Sequence, residues 1–189
     1  MIVESISDLA GNLGMPGVDL AFRTQLVIPE QLELYDYWLN CAHGRQMPGR
    51  IDIHPQHIPR LLPHISLIDV EAQPTRYRVR LAGTQLYDFY GCDITGFYVD
   101  DVCWGDKERY WKAAYQRVTS QGRPAQGIVR SPVANKDHLV QFWIRLPLSV
   151  DGKTVSMILS HDAFVPVSKV ARLTGMDEVK EVELEAAAV

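Results

Sequence analysis

The stretch from Arg76 to Val99, RYRVRLAGTQLYDFYGCDITGFYV, constrains the fold of this chain more than any other. Tyr77, Val79 and Leu81 alternate with Arg76, Arg78 and Arg80, the period of a strand with one apolar face and one face of three guanidinium groups. The alternation stops at Ala82-Gly83-Thr84, and Leu86, Tyr87, Phe89 and Tyr90 then form a short aromatic helix. Gly91 ends that helix, and Gly96 follows in Asp93-Ile94-Thr95-Gly96. Glycines at such positions supply positive φ or close backbone approach. Strand, turn, short helix and glycine loop in this order imply an α+β fold.

Before this stretch, 29–43 reads as a helix. Pro29 suits its first turn and Gly44 its stop. Leu32, Tyr35, Leu39 and Ala42 share a face, which Leu34, Trp38 and Cys41 widen. So broad a stripe packs either on its own domain or on a second copy of the chain. Leu26-Val27-Ile28 reads as a short docking segment ahead of it. In HPQHIPRLLPH, Ile58, Leu61 and Leu62 read as the inward side of one short helix. Residues 65–71 and 75–82 then form a hairpin.

After the glycines, Asp106 and Gly122 bracket a helix over 107–121, with Trp111, Ala114, Tyr115 and Val118 on one face. Three strands follow, over 124–131, 138–148 and 154–164. Asp151-Gly152 makes the turn between the last two. Val140, Phe142, Ile144, Leu146 and Leu148 share one face, as do Val155, Met157, Leu159 and His161 on the last strand. Pro166 ends the sheet and 167–173 reads as a short helix. The expected division is an N-terminal extension over 1–28, a flanking helix and loop over 29–63, a core over 64–165 and a C-terminal extension over 166–189.

A net charge of −4 argues against a nucleic-acid surface, which needs a dense cationic patch. Cys41, Cys92 and Cys103 are odd in number and lack CxxC spacing, so they read as reduced thiols. No signal peptide and no run long enough to span a membrane is visible, and a cytoplasmic location is expected. His54, His57 and His64 lie close together, but Pro59 and Pro63 interrupt them and no cysteine or carboxylate joins at ligand spacing, so no metal site is expected.

Several positions taken together resemble a bacterial PAS-domain family of short, often stand-alone proteins. They are Trp38, Pro48, Arg50, Asp52, Pro55, Ile58, Leu61-Leu62-Pro63, Leu67, Asp69, Tyr77-Arg78, Gly83-Thr84, Leu86, Gly91 and Thr95-Gly96. The resemblance implies a five-stranded antiparallel sheet in the order 2-1-5-4-3, helices on one face and a flanking N-terminal helix. It also implies a pocket between sheet and helices, for which the candidates are Tyr87, Tyr90, Trp104, Trp111, Tyr115, Phe142, Ile144, Met157 and His161. PAS domains often dimerise through N-terminal helices, which makes Tyr35, Trp38, Leu39, Arg76, Arg78 and Arg80 interface candidates. The arginine row reads first as a solvated outer face. The sharper alternative is that it meets carboxylates of the flanking helix or a partner chain, such as Glu33 or Asp36, and an anionic ligand is a lesser one.

Flavin-binding relatives carry a cysteine in an NCRFLQ-like run, and neither YGCDITG nor DVCWGD supplies one. Haem-binding relatives place a histidine on the long helix, where this chain has none. Both cofactors are therefore disfavoured, leaving a small organic ligand or a filled core. The resemblance implies a non-catalytic signalling module. With no kinase, cyclase or DNA-binding segment in the sequence, it is expected to act by protein contact as a homodimer. Two alternatives stay open. One is a ligand-free scaffold. The other is a small α+β cone enzyme using acid–base residues of the pocket, although His161 and Asp162 are strand neighbours and point to opposite faces.

Overall fold

The structure, a computed structural model, describes residues 20–102, 107–131, 133 and 135–174. Helix α1 spans Leu20–Thr24 and α2 Pro29–Ala42. Strands β1 (Ile65–Ala72) and β2 (Thr75–Ala82) precede α3 (Thr84–Tyr90) and α4 (Glu108–Gln121). Strands β3 (Ala125–Arg130), β4 (Leu139–Ser149) and β5 (Val155–Pro166) then lead into α5 (Val167–Thr174). The strands form one antiparallel sheet in the order β2-β1-β5-β4-β3, as the resemblance implied.

Local signals place most boundaries. Pro29 stands in the first turn of α2, and its end turns through His43 and Gly44, both with positive φ. Gly91 and Gly96, at φ 74° and 90°, make the turns anticipated after α3. Trp111, Ala114, Tyr115 and Val118 are the buried stripe of α4.

Three details differ from expectation. The segment before β1 is not one helix but two 3-10 turns, Pro55–His57 and Leu62–His64, because Pro59 and Pro63 interrupt it. Ile58 and Leu61 are buried there, whereas Leu62 is exposed. On β2, Leu81 is 46% exposed rather than inward. It pairs with Leu67, while Val79 pairs with Ile68, so Arg80 is an extra residue that flips the strand's faces at a bulge.

The third concerns the sheet's two faces. Helices α3 and α4 cover one face, the inner one. Phe89 of α3 stacks on Phe164 of β5 with centroids 3.7 Å apart. The other face is also covered, by α2 and α5. Trp38 Nε1 donates to the Pro147 carbonyl at 2.9 Å, and Gln31 Nε2 to that of Phe142 at 2.9 Å. Val170 of α5 packs with Ile28, Val140 and Phe142. Strand β4 is therefore buried on both faces, and all but its first residue are buried.

Candidate functional site

The inner face is read from register. Gln141, Trp143 and Arg145 alternate along β4 and pair with Phe164, Asp162 and Ser160 of β5. Their side chains rise toward α4. The Arg145 guanidinium lies 5.1 Å from the Trp111 ring centre and 5.4 Å from those of Tyr115 and Trp143. Trp143 reaches its place because Gly127 stands opposite on β3. A Cβ on Gly127 would come within 2.7 Å of the indole. Trp143 Nε1 donates to the Tyr110 hydroxyl at 2.8 Å, and Tyr77 stacks on Tyr115.

Within this aromatic enclosure lies an ion pair. Arg145 Nη2 donates to Asp162 Oδ1 at 2.9 Å, and both side chains are 2% exposed. Gln141 Nε2 donates to the same carboxylate oxygen at 2.8 Å. Charges taken so far from water are tolerated only when paired and hydrogen-bonded. Burial works against the Arg145 cation, but Asp162 and the nearby Tyr115 and Tyr90 more than offset it and hold the guanidinium above its ordinary value. Burial pushes the Tyr115 hydroxyl up, and the Tyr90 hydroxyl well up with help from the Asp162 charge. Among the described residues, Arg145 Nε, Gln141 Oε1 and Ser160 Oγ make no hydrogen bond of full geometry. These three atoms thus lack a well-formed bond in an apolar setting, with the Tyr90 hydroxyl beside Gln141 and the Tyr115 hydroxyl beside Arg145 and Ser160.

A family profile described as PAS domain matches residues 27–160. The chain belongs to the PAS-domain family. Among solved structures, it is similar to a light-oxygen-voltage (LOV) protein from Rhodobacter sphaeroides. Identity is 17% and the TM-score 0.47, over 63% of this chain and 72% of that one. It is also similar to a sensory box sensor histidine kinase from Vibrio cholerae, at 14% identity and a TM-score of 0.41, over 58% and 85%. No curated protein matches it.

The pocket candidates separate by face. Trp111 and Tyr115 stand in the PAS interior around Arg145, and Tyr90 brings its hydroxyl beside Gln141. Tyr87 is 55% exposed on the solvent side of α3. Trp104 lies outside the described residues. Phe142, Ile144, Met157 and His161 are buried, but on the outer face. The apolar row of β4 and β5 marks the face that the flanking helix covers, not the side that meets α4. The inner face is the one carrying Gln141, Trp143, Arg145, Ser160 and Asp162. Its signal in the sequence was the polar and aromatic alternation between the apolar residues of β4.

The interface candidates also move. Tyr35 and Trp38 are buried within their own chain, and Leu39 packs against the core. Arg80 pairs with Asp69 at 2.7 Å, Arg78 reaches Asp69 and Glu71, and Arg76 reaches Asp101. Glu33 and Asp36 pair with Arg60 and Arg23 instead. Arg78 stands opposite Asp69 in register and Arg80 lies two residues on along the same face, so both arginines converge on Asp69. Cys92 is exposed, and Cys103 lies outside the described residues.

Proposed function

We propose that this PAS chain is a non-catalytic sensory module that signals by protein contact, with α2 as its output element. The input acts at the Arg145 cluster. The observation that carries this reading is that β4 and β5 serve both. Their inner residues Gln141, Arg145 and Asp162 form the cluster, and α2 is seated on the other face through Gln31 and Trp38, which donate to β4 carbonyls. A shift of either strand alters both faces together, and packed elements respond in discrete steps.

The ligand class is suggested by the incompletely bonded groups of the cluster. A small polar molecule offering an acceptor to Arg145 Nε and a donor to Gln141 Oε1 would complete them, stacked among Trp111, Tyr115 and Trp143. Its effect on α2 would equal its differential affinity for the two seatings of that helix. The acid–base alternative has less support, because His161 lies beneath α2 and faces away from Asp162.

The homodimer belongs to the same proposal. Its contact shifts from Tyr35 and Trp38 to the outward side of α2, where Leu32, Tyr37 and Asn40 with His57 and Ile58 line a groove of about 540 Å³. Amide hydrogen exchange at pH 7.5 tests the coupling of cluster to helix. Replacing Gln141→Leu, or Arg145→Met together with Asp162→Leu, should change the protection of α2 amides at least tenfold while β1 keeps its own. Unaltered α2 protection in both variants would leave the sensing reading without support.

A further inference from the structure

The outer face holds a titratable ring that the sensing reading does not use. His161 is 1% exposed and lies beneath the first turn of α2, where Gln31 Nε2 approaches its carbonyl at 3.4 Å. Its ring stacks on that of His64, with centroids 5.3 Å apart and planes 20° from parallel. Among the described residues, neither nitrogen of the His161 ring has a hydrogen-bond partner. His64 is itself anchored, its Nδ1 lying 3.0 Å from the Asp162 carbonyl oxygen. The register neighbours of His161 are Ile65 on β1 and Ile144 on β4, both apolar. A neutral imidazole there already forgoes its hydrogen bonds. An imidazolium would need water or an acceptor that the docked helix keeps away.

We propose that His161, stacked on His64, is a proton-operated latch on α2: acid releases the helix from the sheet because release lets water reach the His161 ring. This rests on the reading of α2 as output element. The charged and titratable groups around the ring are Glu30 from α2, His64 from the turn before β1, and Arg145 from the far side of β4. Burial, and then His64, push docked His161 down to about 3, with Arg145 acting the same way and Glu30 opposing.

Once α2 lifts, the ring returns toward the ordinary histidine value of about 6.5. The released state therefore binds more protons at acid pH. Docking is at full strength above about pH 6.5, and it weakens as pH falls from there toward about 3. Over that window the release constant rises about tenfold per pH unit. A histidine with these limits acts in mild acid without disturbing the neutral state.

The test uses the whole chain. Hydrogen-exchange protection factors, corrected for intrinsic exchange chemistry, are compared at pH 7.5 and 5.5. Protection of α2 should fall about tenfold while α4 is unchanged, and His161→Leu should abolish the fall. His161→Phe serves the same purpose should the leucine variant not fold. Side-chain NMR of the wild type should find a His161 ring that stays neutral to below pH 5. An equal loss in α4, a fall that persists in the variants, or a His161 ring titrating near 6.5 with α2 docked would each overturn the latch. The sensing reading is judged separately, by the cluster variants at pH 7.5. If those variants leave α2 unmoved but the pH response stands, sensing falls and the latch remains. If the response is missing while the coupling holds, the latch falls alone.

Discussion

Arg145 shows how a buried charge is held. It has one carboxylate partner, three aromatic rings and no water-exposed surface to speak of. Arg145→Met leaves Asp162 buried without its cation, and urea titration should find a loss of about 3–5 kcal/mol. Adding Asp162→Leu should recover most of that loss, because the stranded charge is then gone. Two glycines make a further contrast. A Cβ on Gly83 would collide with the carbonyl oxygens of Pro63 and Leu62, so the backbone must move. Gly91 has open space but sits at φ 74°. Gly83→Ala should cost about 1–3 kcal/mol through overpacking, and Gly91→Ala about 1–2 kcal/mol through conformation alone. The roles of Gly91 and Gly96 were visible in their spacing. That of Gly83 was not, because the atoms it makes room for belong to the turn before β1.

Among the elements, α2 depends most on its partner. Its single indole hydrogen bond falls on Pro147, whose carbonyl loses that donor in Trp38→Phe. Thermal melts should register about 1–3 kcal/mol, and exchange should show the loss concentrated in α2. The β4–β5 turn is self-contained by comparison. Asp151 Oδ1 accepts from the Lys153 and Thr154 amides and from the Ser149 hydroxyl. Those donors, the amides first, hold its carboxyl below the ordinary carboxylate range. A depressed carboxyl stabilises the fold above its unfolded value near 3.9, and that contribution fades as pH falls below it. Asp151→Ala should therefore lower the melting temperature at pH 7, and the gap to the wild type should narrow at pH 3. A gap of equal size at both pH values would mean that the ionised carboxylate is not the source.

For the whole molecule, the two-sided sheet changes what a dimer would use. The stripe Leu34, Tyr35, Trp38, Cys41 and Ala42 is buried within the chain. The partly buried Leu32, which packs against the core, also lines the groove on the outward side. Light scattering should give twice the 21.4 kDa chain mass, and Leu32→Glu should restore the single mass. A wild-type protein that stays at one chain mass at high concentration would remove the dimer from the proposal.

The strand order came only with the resemblance to PAS domains, but the five strands, the stripes of α2 and α4 and the glycine turns were legible in the residues themselves. These are properties of local periodicity and backbone sterics, which neighbouring residues settle among themselves. Tertiary structure decided which face was which. A strand covered on both sides carries two nearly equal patterns, and alternation cannot say which of them meets α4 and which meets α2. That choice put Phe142 and His161 under the flanking helix and turned Arg145 and Asp162 toward each other. The aromatic rings that enclose this pair come from α4 and from β4 itself, so only the assembled fold supplies the enclosure in which a buried arginine is stable.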